Sequence, residues 1–95
     1  MKVRFTQRAR HHLRSIFQHV RASDPDAASA LVDRIVGLTD ELSAHPHLGR
    51  PVGSGTRRIL TLPGAPYRIV YSLVGDEVRV LMIRHTSRRP LRDLT

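Results

Sequence analysis

The clearest pattern of hydrophobic and polar positions lies between Tyr67 and His85, where two runs rich in Val, Ile and Tyr flank Gly75-Asp76. This pair can adopt the positive φ angles of a two-residue turn at little steric cost, so the pattern predicts a β-hairpin. A two-residue loop fixes the register and sorts the side chains onto two faces. The first face is apolar apart from its terminal arginine, so we expect it to be buried. It comprises Tyr67, Ile69, Tyr71, Leu73, Val78, Val80, Met82 and Arg84.

The second face of the predicted hairpin mixes polar side chains into an apolar strip. In this register Val70 faces Leu81 and Arg68 faces Ile83, which places Arg68 diagonally across the strands from His85. A one-residue bulge anywhere in the hairpin would undo that relation. The whole second face comprises Arg68, Val70, Ser72, Val74, Glu77, Arg79, Leu81, Ile83 and His85.

The N-terminal half of the chain changes from strand-like to helical spacing. Residues 2–5 alternate as a short strand, and Thr6 suits the N-cap of an amphipathic helix whose outer side carries basic and His residues, among them His12. A second helix is predicted from Asp24, with Pro25 at its first position, where proline's missing amide costs nothing. The short connection between the two helices predicts an antiparallel helical hairpin.

The remaining segments complete one domain. Residues 45–56 are predicted to form a loop punctuated by Gly and Pro, and residues 56–62 a further strand. The order strand, helix, helix, strand, strand, strand predicts an α+β fold in which the helical hairpin covers one face of an antiparallel sheet of about four strands. Residues 1–95 are expected to form this single domain, with a polar tail at about 90–95.

Composition and charge narrow the function classes. The chain has no cysteine, and it shows neither an apolar signal segment nor a membrane span, so a cytoplasmic protein without membrane contacts is expected. The net charge of +8 is distributed unevenly, because residues 1–21 carry six basic and no acidic side chains, whereas residues 24–41 carry five acids and only Arg34. So basic a chain favours acidic or polyanionic partners.

Several segments, in order, resemble the RelE/ParE superfamily of bacterial type II toxins over essentially the whole chain. They read VRFTxxAxxxLxxI, DPxAA, HPxLGRPV, GTR, APYRIVY, GDxV and IRHTSRRP. The GRPV, GTR and APYRIVY segments are most similar to the ParE-like branch. The resemblance implies a toxin with the RelE/ParE fold, paired with a small antitoxin, and the basic charge of the chain predicts that the toxin-binding segment of this antitoxin is acidic. Oligomers would form mainly through that complex.

The resemblance leaves the target open between two branches. ParE-like members are described as poisons of DNA gyrase without chemistry of their own, whereas RelE-like members cleave mRNA on the ribosome. A nuclease needs groups that stabilise phosphate charge and transfer protons, and the candidates here are Arg68, Arg84 and His85. No tyrosine follows His85 and no lysine follows Lys2, which favours the non-nuclease branch. A nucleic-acid-binding module without toxicity is the third possibility.

Surface arginines are the candidate partner-binding residues, although such residues are often simply solvated. They contribute to electrostatic complementarity whichever partner binds. No cofactor is predicted, and no metal site, because His11-His12 and His45-Pro46-His47 do not supply three convergent ligands. The partner-binding candidates are Arg57, Arg58, Arg68, Arg79, Arg88 and Arg89.

Overall fold

A computed structural model describes residues 1–86, in which a pair of helices packs on one five-stranded sheet. The predicted α+β architecture is therefore confirmed, while Arg88, Arg89 and the predicted tail lie outside the described residues. The elements are β1 (Lys2–Phe5), α1 (Gln7–Arg21), α2 (Pro25–Glu41), β2 (Arg50–Pro51), β3 (Arg57–Thr61), β4 (Tyr67–Val74) and β5 (Glu77–His85).

Both helices begin where their local chemistry predicts. The Thr6 hydroxyl accepts a hydrogen bond from the Ala9 amide at 3.1 Å, which satisfies one of the free amides at the start of α1. The Asp24 carboxylate accepts from the Ala27 amide at 3.1 Å at the start of α2, and Pro25 follows at the first helical position. The predicted helical hairpin is confirmed.

The sheet has the strand order β1-β5-β4-β3-β2, and β1 runs parallel to β5 while the other pairs are antiparallel. The predicted antiparallel sheet of about four strands is thus corrected to a mixed sheet of five. Alternation over four residues identifies β1 as a strand but says nothing about its neighbour. The strand β2 fell inside the predicted loop because two residues, one of them Pro51, are too few to show alternation.

A bulge changes the hairpin register away from its turn. The predicted pairing holds from the turn as far as Tyr71 opposite Val80, but Val70 then pairs with Met82. Leu81 is therefore the extra residue of β5, and the predicted pair of Val70 with Leu81 is wrong.

Beyond the bulge, every β5 side chain is on the opposite face from the one predicted. Ile83 and His85 lie on the helix side of the sheet, whereas Met82 and Arg84 lie on the other side. Arg68 faces Arg84 instead of Ile83, so the predicted pair and the predicted position of Arg84 on the apolar face are wrong. One extra residue has this effect because side chains alternate with a period of two.

The side chains of Thr6 and His12 bond two backbone groups of β5 that lie at the bulge and beyond the last residue paired with β1. The Thr6 hydroxyl donates to the Leu81 carbonyl at 3.2 Å, and the Ile83 amide donates to His12 Nδ1 at 3.2 Å. His12 was expected on the outer surface, but it is half-buried and contacts β5. The N-cap residue Thr6 and His12 of α1 thus attach the helix to the irregular part of the sheet.

Neither helix in residues 1–86 is long and apolar enough to cross a membrane.

The core of the domain lies between the helices and the sheet. Its main cluster joins both helices to the three central strands. A smaller cluster of Leu42, Tyr71 and Val78 lies where α2 ends. The main cluster comprises Ala9, Ile35, Leu62, Tyr67, Ile69, Val80 and Ile83.

Candidate functional site

The sheet face turned away from the helices carries most of the strand arginines, and we call it the arginine face. Glu77 is its one acidic side chain among the described strands, and it pairs with Arg4 at 3.5 Å and Arg79 at 3.3 Å. Cross-strand pairing places a basic residue of every strand on this face. These residues are Lys2, Arg4, Arg50, Arg57, Arg68, Arg79 and Arg84.

Arg68 and Arg84 face each other directly across β4 and β5 on this face, and both are half-buried. Directly opposed residues have their Cβ atoms about 5 Å apart, where like charges destabilise the sheet. Within residues 1–86 neither forms an ion pair, since both salt bridges there belong to Glu77. Glu77 lies seven residues before Arg84 on β5, which is about 20 Å along a strand. The pair therefore concentrates positive charge that is suited to binding an anion.

His85 lies on the opposite side of the sheet from this pair. It faces Tyr67, and the two rings meet edge to face with their centroids 5.1 Å apart. The predicted proximity of Arg68 and His85 is wrong, because the bulge carries His85 to the helix side. The structure brings together the two arginines of the proposed nuclease set and separates the histidine from them.

The other partner-binding candidates fall into two groups. Arg57 and Arg79 lie on the arginine face. Arg58 lies on the helix side, where its guanidinium donates to the carbonyl oxygens of Gly49 at 2.6 Å and His47 at 3.2 Å. Its charge is thus used to hold a turn of its own chain.

The turn at residues 45–50 is held by hydrogen bonds to a buried tyrosine. We call it the clamped turn. The Tyr71 hydroxyl donates to the Pro46 carbonyl at 2.7 Å and accepts from the Gly49 amide at 2.9 Å. Burial raises the pKa of Tyr71 above its ordinary value near 10, although the Gly49 amide and Arg58 act in the opposite direction. The sequence indicated a buried Tyr71, but nothing local to it indicated the turn as its partner.

A groove of about 280 Å³ lies on the helical hairpin, lined mainly by apolar surface. Leu13 and Phe17 are apolar residues of α1, yet both are only half-buried, so the sheet does not cover the apolar side of this helix completely. Two exposed arginines, Arg14 and Arg21, border the groove. An apolar floor with a cationic rim suits an amphipathic helix that carries acidic residues. The lining residues are Leu13, Arg14, Phe17, Gln18, Arg21 and Val32.

Residues 1–86 contain no group of three or more His, Asp or Glu side chains placed to hold a metal ion. The groups described above on the arginine face and in the groove are mainly guanidinium groups and apolar side chains. These groups bind anions and apolar side chains.

Comparison with known proteins identifies one family. Residues 3–90 match the family model described as the ParE toxin of the type II toxin–antitoxin system parDE. A curated relative from Sinorhizobium fredii, named "Putative toxin Y4kP", is 35% identical over 88 residues, which are 93% of this chain and 91% of the relative.

Solved structures have the same architecture. The chain resembles one from the chromosomal ParDE TA system of P. aeruginosa with a TM-score of 0.81 and 28% identity, covering 92% of this chain and 97% of the other. It also resembles a chain of the RelBE2 toxin–antitoxin complex from Mycobacterium tuberculosis with a TM-score of 0.61 and 25% identity, covering 88% and 95% of the two chains.

Proposed function

The chain belongs to the ParE toxin family of type II toxin–antitoxin systems, and we propose that it arrests growth by binding DNA gyrase in the cytoplasm. A cognate antitoxin neutralises it. One observation supports a binding function over a catalytic one. The sheet separates His85 from Arg68 and Arg84.

Cleavage of RNA requires a proton acceptor and a proton donor beside the groups that hold the phosphate. At the end of the arginine face that holds Arg68 and Arg84, the nearest described neighbour in β3 is Thr61, opposite Arg68. A threonine hydroxyl does not titrate near neutral pH. The described residues therefore supply charge for binding at this point without supplying proton transfer.

The groove on the helical hairpin supports the antitoxin as the partner that neutralises the toxin. Leu13, Phe17 and Val32 offer apolar surface, and Arg14 and Arg21 offer cations at its rim. An antitoxin helix with one apolar face and flanking acidic residues would bury the first and pair with the second. The similar ParDE and RelBE2 structures come from toxin–antitoxin systems, which is consistent with this assignment.

The second candidate function is ribosome-dependent cleavage of mRNA, and one observation favours it. Arg68 and Arg84 oppose each other without a carboxylate partner among residues 1–86, as a site for a phosphate group would require. In that function both arginines would stabilise the charge that develops on the scissile phosphate.

A side-by-side assay distinguishes the two functions. The purified chain is added to gyrase in a supercoiling assay and to translating ribosomes in an mRNA cleavage assay, together with the variants Arg68→Lys and His85→Gln. We expect inhibition of supercoiling, no cleavage, and toxicity that largely survives both substitutions, since a binding surface loses about 1 kcal/mol per altered contact.

A nuclease would respond differently to the same variants. Arg68→Lys retains the charge but loses the planar fork, and His85→Gln removes the imidazole ring, the side chain best suited to transfer a proton. Cleavage should then fall about a hundredfold or more. Message cleavage by the parent chain, with loss of toxicity in both folded variants, would replace the gyrase proposal with the nuclease one.

A further inference from the structure

From the clamped turn at residues 45–50 we infer a second interaction surface, in which Leu48 is a preorganised anchor for the toxin's target. The occupant we propose is an apolar pocket with acidic groups around it on the surface of the target protein. The inference rests on the proposed function in one respect, namely that the chain arrests growth by binding a protein.

Five hydrogen bonds hold the backbone of the clamped turn in place. Tyr71 and Arg58 together make four hydrogen bonds to its backbone, at 2.6 to 3.2 Å. A fifth bond, from the Leu48 amide to the His45 carbonyl at 3.1 Å, closes the turn on itself. Gly49, the neighbour of Leu48, is buried and takes part in two of these bonds. It therefore cannot move outward without breaking them.

The turn nevertheless presents an apolar side chain to solvent. Leu48 is 48% exposed, more than any other large hydrophobic residue that the structure describes as exposed. A single exposed leucine is ordinary on a protein surface, so exposure alone carries no inference. The combination is informative, because a turn whose backbone is fixed before binding loses little backbone conformational entropy when a partner covers it.

Charge indicates the character of the partner. The sequence contains no acidic residue from Leu42 to Gly75, whereas it contains Arg50, Arg57, Arg58 and Arg68. Arg50 is the last residue of the clamped turn and lies on the arginine face, and its side chain is exposed. A target pocket edged by carboxylates would therefore complement the exposed Arg50 near Leu48.

The clamped turn is separate from the groove assigned to the antitoxin. Val32 lines the groove, while the turn follows the end of α2 after Leu42. Ten helical residues separate these two positions, which is about 15 Å along the helix. One helix seated in the groove therefore need not cover Leu48, and the two surfaces can be tested independently.

The test uses the full chain with Leu48→Ser, which removes the apolar anchor, and Leu48→Met, which retains it. We expect Leu48→Ser to require about tenfold more toxin for half-maximal growth arrest, as for the loss of an interface anchor. Leu48→Met should stay within about twofold of the parent. Affinity for the antitoxin and the thermal unfolding midpoint should be unchanged in both variants.

Val74→Ser is the matched control, because Val74 is 39% exposed at the far end of the hairpin, and it should leave toxicity unchanged. A folded Leu48→Ser variant as toxic as the parent overturns the inference, as does an equal loss in Val74→Ser or a parallel loss of antitoxin affinity. A toxic parent that leaves gyrase untouched refutes only the proposed target. A parent without toxicity refutes the proposed function and this inference together.

Discussion

At the scale of single residues, Gly49 shows how a backbone position can be fixed by a distant side chain. A Cβ atom built on Gly49 would lie 2.8 Å from the Ile59 carbonyl oxygen and 2.8 Å from Cε1 of Tyr71. Real Cβ atoms do not approach backbone oxygen so closely, and neither neighbour can withdraw, because one belongs to β3 and the other is fully buried. Any larger residue at position 49 would therefore clash with its neighbours, and only glycine fits.

Gly49→Ala should lower the free energy of unfolding by about 1 to 3 kcal/mol, since overpacking forces the clamped turn away from the sheet. Gly37→Ala is the matched control, because its added Cβ meets nothing within 4 Å and its position is inside α2. That variant should gain up to about 1 kcal/mol from the higher helix propensity of alanine. Urea unfolding of both variants checks the prediction, and equal midpoints would refute the steric argument.

At the scale of elements, the sequence predicts the features that depend on neighbouring residues and misses those that depend on distant contacts. The turn of the hairpin and the caps at Thr6 and Asp24 are settled by residues within a few positions of one another, and all three were predicted. Next to the bulge, the Leu81 carbonyl and the Ile83 amide bond to the side chains of Thr6 and His12, which are 75 and 71 positions away in the sequence. No local pattern reveals such contacts.

In the candidate site, too, the positions of the residues along the strands could be predicted, whereas their partners could not. The strand positions of Arg68 and Arg84 were identifiable, but their pairing was not, because one extra residue reverses the direction of every later side chain in β5. The role of Arg58 was also out of reach, since a run of two arginines on an amphipathic strand places one on each face. Only the folded chain shows that Arg58 contacts the carbonyl of Gly49.

The bond from the Ile83 amide to His12 predicts a measurable coupling between α1 and β5. His12→Leu leaves this amide without its acceptor, and we expect a loss of about 1 to 3 kcal/mol in unfolding free energy. His12→Asn places an amide oxygen close to the position of Nδ1 and should recover most of that loss.

The difference between these two variants isolates the hydrogen bond, because both remove the rest of the imidazole ring. His11→Leu serves as the control at an exposed neighbouring position and should change stability by less than about 0.5 kcal/mol. Chemical denaturation at neutral pH gives all three values. Equal losses in His12→Leu and His12→Asn would mean that the bond contributes nothing to stability.

At the scale of the whole molecule, charge is separated between surfaces and little of it is neutralised internally. The described residues form two salt bridges, and both use Glu77. The five acids of residues 24–41 lie along α2 and its N-cap, whereas α1 and the arginine face are basic. Charges left unpaired in this way produce a field that acts on partners before contact.

This field makes the association rate with an acidic antitoxin dependent on salt. The Debye length falls from about 10 Å at 0.1 M salt to about 3 Å at 1 M, so the association rate constant should drop about tenfold or more over this range. The dissociation rate constant should change little, because the apolar groove between the helices governs it. Stopped-flow or surface-binding kinetics at several salt concentrations measures both.

A pair of double variants locates the charges responsible. Arg14→Gln with Arg21→Gln alters the rim of the groove, while Lys2→Gln with Arg57→Gln removes the same charge from the arginine face. The first pair should flatten the salt dependence of association more than the second, since charges closest to the binding site contribute most to steering. An association rate constant that is the same at low and high salt in the parent would show that the antitoxin is not guided by charge and that its recognition is apolar throughout.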